Sequence, residues 1–308
     1  VLSLDYMGAL VAAMLFPYML LPFLGSLHTA LVAGLANAAI GLAVVLVFRN
    51  WLSAWGFRTL ILQAVAVIVA LGGLAWQADG LLARWESDLY EDRIVYSEQS
   101  PYQKIVLTQR GEHWRLYLNG HLQFASVDEY RYHEALVHPA MALAPDRRRV
   151  LIIGGGDGLS AKEVLKYSDV AAVDLVDLDP AVTRLAMRNI HMTRLNDNAL
   201  NQPRVHIHNE DGFEFIKRDH PAYGAIIIDL PDPREDSLAK LYSVEAYKLC
   251  RRLLLPGGVV ATQASSPYYS REAYWSIGAS LQEAGFALWP YHLHVPSFGE
   301  WGFHLAGP

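Results

Sequence analysis

The chemistry of this chain gathers where glycines and carboxylates follow apolar runs. Gly154-Gly155-Gly156-Asp157-Gly158 comes directly after Val150 to Ile153 and precedes a helical pattern through Lys166. Glycines at the carboxyl end of a buried strand let the backbone approach a ligand, because no Cβ stands in the way. Alone, such a loop suits dinucleotide binders, methyltransferases and others. Asp177 ends a second apolar run about twenty residues further on, where a carboxylate can accept both hydroxyls of a ribose. Asn209-Glu210-Asp211-Gly212 ends a third and offers an acid to an adenine amino group. Together these favour a nucleoside ligand over a merely structural set of turns. Asp229-Leu230-Pro231-Asp232-Pro233 closes a fourth run. Asp and Pro are common in solvated turns, yet acids beside a nucleoside loop also suit a substrate bearing ammonium groups. The usual doubly wound order makes the first and fourth strands neighbours, so Asp157, Asp229 and Asp232 would converge.

These residues need a frame. Buried runs at 150–153, 172–177, 205–208, 225–230 and 259–263 alternate with helical patterns, which predicts a parallel doubly wound α/β sheet. Segments 286–294 and 301–305 supply a closing antiparallel pair. Upstream, 93–97, 104–109, 114–118 and 121–124 alternate in the strand period, and Asn119-Gly120 is a hairpin signal because both residues accept positive φ. A small antiparallel sheet is expected there, after an amphipathic connector at 81–89.

At this point the chain resembles the spermidine synthase (polyamine aminopropyltransferase) family. The resemblance rests on Tyr102-Gln103, on Leu118 to Gln123, and on Asp128-Glu129-Tyr130-Arg131-Tyr132-His133-Glu134. It continues through Ile152 to Gly158, Asp211 to Phe215, and Asp229 to Pro233. It implies a Rossmann-like, methyltransferase-type catalytic domain that moves the aminopropyl group of decarboxylated S-adenosylmethionine to an amine such as putrescine, releasing methylthioadenosine. By resemblance, Gln103, Asp177, Asp211 and Gly212 hold the nucleoside beside Gly154 and Gly156, while Gln123, Tyr132 and His133 line the cavity. Asp157 takes the amine of the aminopropyl group, Asp229 acts as or positions the base, with Tyr132 beside it, and Asp232 binds the far ammonium. A homodimer is expected. Two features depart from the family: Arg234-Glu235-Asp236-Ser237 replaces a Gly-Pro, and the acceptor loop reads Pro296 to Trp301, so Phe298 or Trp301 stands where a tyrosine is usual. Alternatives are an S-adenosylmethionine-dependent N-methyltransferase and a membrane protein that binds or transports polyamines.

Composition bounds the rest. Hydrophobic residues make up 53% of the chain, and the excess lies at one end, where Asp5, Arg49 and Arg58 are the only charges before Asp79. Apolar stretches at 6–24, 27–48 and 59–76 approach the ~20 residues that cross a bilayer. Pro17 and Pro22 predict a kink in the first, and Ala33, Gly34, Ala36, Ala38 and Gly41 predict close packing of the second. The domain expectation is therefore 1–80 transmembrane helices, 81–137 connector and hairpin sheet, and 138–308 catalytic domain. A beginning at Val1 without Met suggests more chain upstream. Arg49 and Arg58 flank a loop that the positive-inside rule would place in the cytoplasm, whereas a cytosolic adenosyl substrate places the catalytic domain there. The latter is preferred: an integral protein of a bacterial inner membrane, catalytic domain facing the cytoplasm and lipid as a partner. A net charge of −6 argues against nucleic acid as a partner. Cys250 is the only cysteine, and the pairs His206/His208 and His292/His294 lack acids at ligand spacing, so no metal is expected.

Overall fold

The computed structural model describes residues 2–233 and 236–307. Its chain divides into two compact units, 1–94 and 95–308.

The first unit holds α1 (Leu2–Leu15), α2 (Leu21–Val47) and α3 (Ala54–Leu89), with a π-helical turn at Phe16–Leu20 and a 3₁₀ turn at Arg49–Trp51. The first apolar stretch is not one continuous span. Pro17 lacks an amide donor and sits in the π turn, and Gly25 leaves helical geometry at φ 70°, ψ 175°. What remains apolar and helical there is Tyr6–Leu20, too short to cross a membrane unaided, so among the described residues two helices, not the expected three, have spanning length. These are Leu27–Val47, of 21 residues, and Ala54–Ala78, of 25 residues. The connector expected at 81–89 is helical, the continuation of α3 to Leu89. Gly34 of α2 faces Leu71 of α3 so closely that an added Cβ would lie 3.3 Å from its Cδ1. Of the small residues expected to pack closely, Gly34 makes such an approach, whereas Gly41 has open space around it. The two spans bury almost none of their apolar side chains; Trp55 is 78% and Trp76 91% exposed.

The second unit contains two sheets. β1 (Arg93–Gln99), β2 (Lys104–Arg110), β3 (His113–Leu118) and β4 (His121–Ala125) lie side by side in that order. Asn119 and Gly120 make the β3–β4 turn with φ 49° and 79°, as a two-residue hairpin of the primed type requires. Then follow α4 (Glu129–Leu143), β5 (Arg149–Gly154), α5 (Leu159–Leu165), β6 (Ala172–Val176), α6 (Pro180–Arg188), α7 (Ile190–Leu195), β7 (Val205–His208), α8 (Gly212–Lys217) and β8 (Tyr223–Asp229). α9 (Asp236–Ala239), α10 (Val244–Leu253), β9 (Leu254–Gln263), α11 (Arg271–Glu283), β10 (Ala287–Val295) and β11 (Gly299–Gly307) complete the unit.

The large sheet has the order β10-β11-β9-β8-β5-β6-β7. β5 pairs in parallel with both β6 and β8, while β11 runs antiparallel against β9 and β10. Strand order thus reverses at β5, and a crevice opens at the carboxyl ends of β5 and β8. The boundary expected between 137 and 138 falls inside α4. Leu136, Val137, Ala140 and Met141 are fully buried in one core with Ile105, Leu116 and Phe124 of the small sheet and Ile152 and Ala261 of the large one. A shared apolar core leaves no seam at which to divide them.

Candidate active site

The ends of β5, β6 and β8 converge at the crevice with α4, α5 and the β10–β11 hairpin. Gly154 continues β5 at φ 84°, and a Cβ there would lie 2.0 Å from the backbone oxygen of Asp229. A Cβ on Gly156 would lie 2.4 Å from Asp177 Oδ2. Only glycine permits these approaches. They bring the β5, β6 and β8 termini into contact, and the Gly156 amide donates to Asp177 Oδ2 at 3.0 Å. Asp177 is half-buried, and burial pushes its carboxyl up to about 6 against the opposing amide bonds from Asp179 and Gly156.

Asp229 ends β8 and receives two hydroxyl donors, Tyr132 at 2.9 Å on Oδ1 and Ser160 at 2.6 Å on Oδ2. Hydrogen bonds to a charged acceptor contribute roughly 1.5–3 kcal/mol each, so this carboxylate is fixed from two helices, α4 and α5. His133 Nε2 stands 3.9 Å from Asp229 Oδ2. Its Nδ1 lies 2.8 Å from the Glu129 backbone oxygen and 2.9 Å from Glu129 Oε2, two acceptors that require an N–H at that atom. Burial alone would lower the imidazole, but the Glu129 hydrogen bond and the charges of Asp229 and Asp157 raise it to about 9. Asp157 caps the turn into α5 by accepting from the Leu159 amide at 2.9 Å. Burial raises its carboxyl to about 6, the cation of His133 working against that and Asp229 adding to it. The Tyr132 hydroxyl is held well above its ordinary value by burial and by Asp229.

The structure therefore brings Tyr132, His133, Asp157 and Asp229 together, with Gly154, Gly156 and Asp177 alongside. Asp232 follows on the same turn and accepts from Ser265 Oγ at 3.3 Å. That turn is held from behind: Tyr242 Oη donates to the Pro231 oxygen at 3.0 Å, and Gln263 Nε2 donates to the Leu230 oxygen at 2.7 Å. Arg234 and Glu235, in the segment where the chain departs from its resemblance, lie outside the described residues. Phe298 forms the tip of the β10–β11 hairpin, its ring edge-on to Tyr132 at 6.0 Å and tilted on Trp301 at 5.1 Å. Asp128 ties that tip to the start of α4, accepting from the Ser297 amide at 2.7 Å and its hydroxyl at 2.8 Å.

The other expected site residues are engaged within the protein. Asp211 is already engaged: Oδ1 caps α8 at the Phe213 amide, 2.8 Å, and Oδ2 pairs with Lys240. Gly212 packs against Ile153. Gln103 donates to Asp179 Oδ2 at 3.0 Å rather than meeting Asp177. Gln123 donates to the His121 backbone oxygen. A cavity of about 700 Å³ is lined by Phe213, Lys217, Lys240, Ser243 and Glu245, and not by Asp157, Asp177 or Asp229.

The histidine pairs do have acids nearby. Glu300 meets His292 Nδ1 at 2.9 Å and His294 Nδ1 at 3.4 Å, across the hairpin where sequence spacing cannot show it. His208 meets Asp174 at 3.1 Å. Glu134, His138 and Glu163 also bring potential ligand atoms within 4.8 Å of one another, but Lys166 Nζ stands 2.5 Å from Glu163 and supplies a cation there. Sequence reasoning gave no role to Ser160, Glu129 and Lys162, which reach the site through helix packing, or to Asp179, which caps α6. Glu129 lies within a quoted motif, and the only sequence signal of the others is proximity to one.

A doubly wound α/β domain with a glycine-lined, acid-rich crevice at its switch point has the architecture in which such folds bind small ligands. The chain belongs to the spermine/spermidine synthase domain family, whose model matches residues 129–306. It is 44% identical over 306 residues to a polyamine aminopropyltransferase of Oceanobacillus iheyensis, covering 99% of this chain and 59% of that protein. To polyamine aminopropyltransferase 1 of Streptomyces coelicolor it is 46% identical over 312 residues, covering 99% of this chain and 58% of that protein. The chain thus spans about three-fifths of the length of these curated relatives. Among solved structures it superposes on a spermidine synthase in complex with the transition state analogue AdoDATO, with TM-score 0.66 and 28% identity over 70% of this chain and 73% of that one. The spermidine synthase of Thermotoga maritima gives TM-score 0.63 and 27% identity, over 70% of this chain and 72% of that one.

Proposed function

We propose that this chain is an aminopropyltransferase that moves the aminopropyl group of decarboxylated S-adenosylmethionine to an amine such as putrescine. The observation that carries the reading is the cluster of Asp157, Asp229, Tyr132 and His133 at the switch point, in a chain whose curated relatives are polyamine aminopropyltransferases. A carboxylate-lined crevice suits ammonium groups, and Asp157 favours a donor whose ammonium has no carboxylate beside it, because a second anion would be repelled.

The sulfonium is already a good leaving group, so the protein's task is chiefly alignment. The amine nitrogen forms a bond to the aminopropyl carbon as the carbon–sulfur bond breaks, its electron pair passing to sulfur. The nitrogen must shed a proton, since an alkylammonium has a pKa near ~10.4 and no free lone pair. Asp229, oriented by Tyr132 and Ser160, receives that proton directly or through water. Asp177 and the Gly154–Gly156 backbone hold the nucleoside, with Asp211 and Gln103 nearby, and Asp232 takes the distal ammonium. Phe298 and Trp301 cover the methylene chain.

The first unit is read as a membrane anchor with the catalytic unit on the cytoplasmic side. Two helices long enough to span leave their apolar side chains exposed, which in water would cost about 25 cal/mol for each Å². The full chain, purified in detergent, is expected to convert decarboxylated S-adenosylmethionine and putrescine into equimolar methylthioadenosine and spermidine. An inert chain contradicts the reading, as does quantitative recovery in the soluble fraction without detergent for its membrane part.

A further inference from the structure

A chain of buried charge leads away from the acids. Glu129 is 6% exposed and divides its carboxylate between two cations: Oε2 meets His133 Nδ1 at 2.9 Å and Oε1 meets Lys162 Nζ at 2.6 Å. Lys162 is anchored in turn by the Leu195 backbone oxygen at 3.2 Å. A carboxylate removed from water survives only when its partners compensate the lost hydration, so this arrangement costs stability and needs a reason. His133 is faced by Glu129 and Tyr132 of its own helix, by Asp157 from the β5–α5 loop and by Asp229 from β8. Lys162, from α5, reaches it only through Glu129.

Three carboxylates around one imidazole make it a cation. Without that cation, half-buried Asp157 would meet the charge of Asp229 with only the Leu159 amide to offset it, and its carboxyl would be pushed toward the protonated form. A protonated acid cannot grip an ammonium. We propose that Glu129, clamped by Lys162, is a positioning residue that holds His133 as a cation and thereby keeps Asp157 ionised to receive an ammonium group. Glu129 touches no substrate; it acts through His133.

The inference rests on the aminopropyltransferase reading and deepens it. The sign follows from the charges. Removing the Glu129 anion lowers the imidazole, the lost cation no longer restrains Asp157, and its carboxyl rises from about 6. The acid limb of kcat/KM for the donor must then move to higher pH.

The test is a pH profile of the full chain in detergent, for wild type, Glu129→Gln, His133→Gln and the double variant, with methylthioadenosine affinity as the measure of an intact fold. Glu129→Gln is expected to bind methylthioadenosine within about twofold of wild type, to lose roughly tenfold in kcat/KM near pH 6.5, and to recover within about threefold near pH 9. His133→Gln should move the acid limb in the same direction, and the double variant should move it no further. A uniform loss at every pH in Glu129→Gln, with the limb unmoved, overturns the proposal and leaves Glu129 a structural residue. If Glu129→Gln binds no methylthioadenosine, the limb is read in His133→Gln, where an unmoved limb likewise overturns it. Wild-type turnover separates the two readings. Should wild type form no methylthioadenosine, the aminopropyltransferase reading fails, and the limb is instead taken from calorimetric binding of decarboxylated S-adenosylmethionine at each pH.

Discussion

The two flanks of the crevice are built by different means. On the β5–β6 side the main chain sets the geometry. Gly154 and Gly156 approach neighbouring strand ends to distances no side chain allows, and Asp177 accepts from the Gly156 amide. On the β8–β11 side the geometry comes from side chains on separate elements: Tyr132 from α4, Ser160 from α5, Phe298 and Trp301 from the β10–β11 hairpin. A flank made of backbone is shared by every ligand with the same nucleoside. A flank made of side chains can be altered one residue at a time.

That contrast predicts where substitutions act. The largest effect is expected at Asp229, which belongs to the second flank but serves the bond-making step. Asp229→Asn should lower turnover at least ~100-fold at saturating amine, in line with general base contributions of ~10²–10⁴, while leaving methylthioadenosine affinity nearly unchanged. Near-normal turnover would remove Asp229 from the chemistry.

Next comes the first flank. Asp177→Ala should weaken methylthioadenosine binding by roughly 1.5–3 kcal/mol, the contribution of a charge-assisted hydrogen bond, with little change in the chemical step. In the unaltered chain the same carboxyl, raised to about 6 by burial, must be ionised to accept from ribose hydroxyls. Nucleoside affinity should therefore hold above pH 7 and fall as pH drops through about 6, a dependence that Asp177→Ala should abolish. Equal affinity at pH 5 and pH 8 in the wild type would place the ribose elsewhere.

The smallest effects belong to the aromatic tip. Phe298→Ala or Trp301→Ala should alter the ranking of diamines and longer polyamines by about 0.5–2 kcal/mol in kcat/KM, the range of an aromatic face against a cation. Donor affinity should not respond. An unchanged ranking would mean that Asp232 and its turn select the amine alone.

The same division governs how much could be read from the sequence. Every strand of both sheets was visible, because strand alternation, buried apolar runs and the Asn119-Gly120 turn are local signals. The backbone flank was legible for the same reason: glycines and acids at strand ends lie within a few residues of each other. Glu129, Ser160 and Lys162 were not singled out, since a helix side chain becomes part of a site only when packing turns its face inward. Asp211 was visible as an acid but not as the cap of α8 already paired with Lys240. The first apolar stretch misled for a physical reason: composition records hydrophobic length, whereas Pro17 and Gly25 decide whether that length is one helix.

The measurement closest to the central claim is a donor competition. The full chain in detergent, given equal S-adenosylmethionine and decarboxylated S-adenosylmethionine with putrescine, should yield methylthioadenosine and spermidine in equal amounts and no S-adenosylhomocysteine, because Asp157 accepts the bare ammonium and repels the carboxylate. S-adenosylhomocysteine as the main nucleoside product, or no nucleoside product at all, would contradict the account.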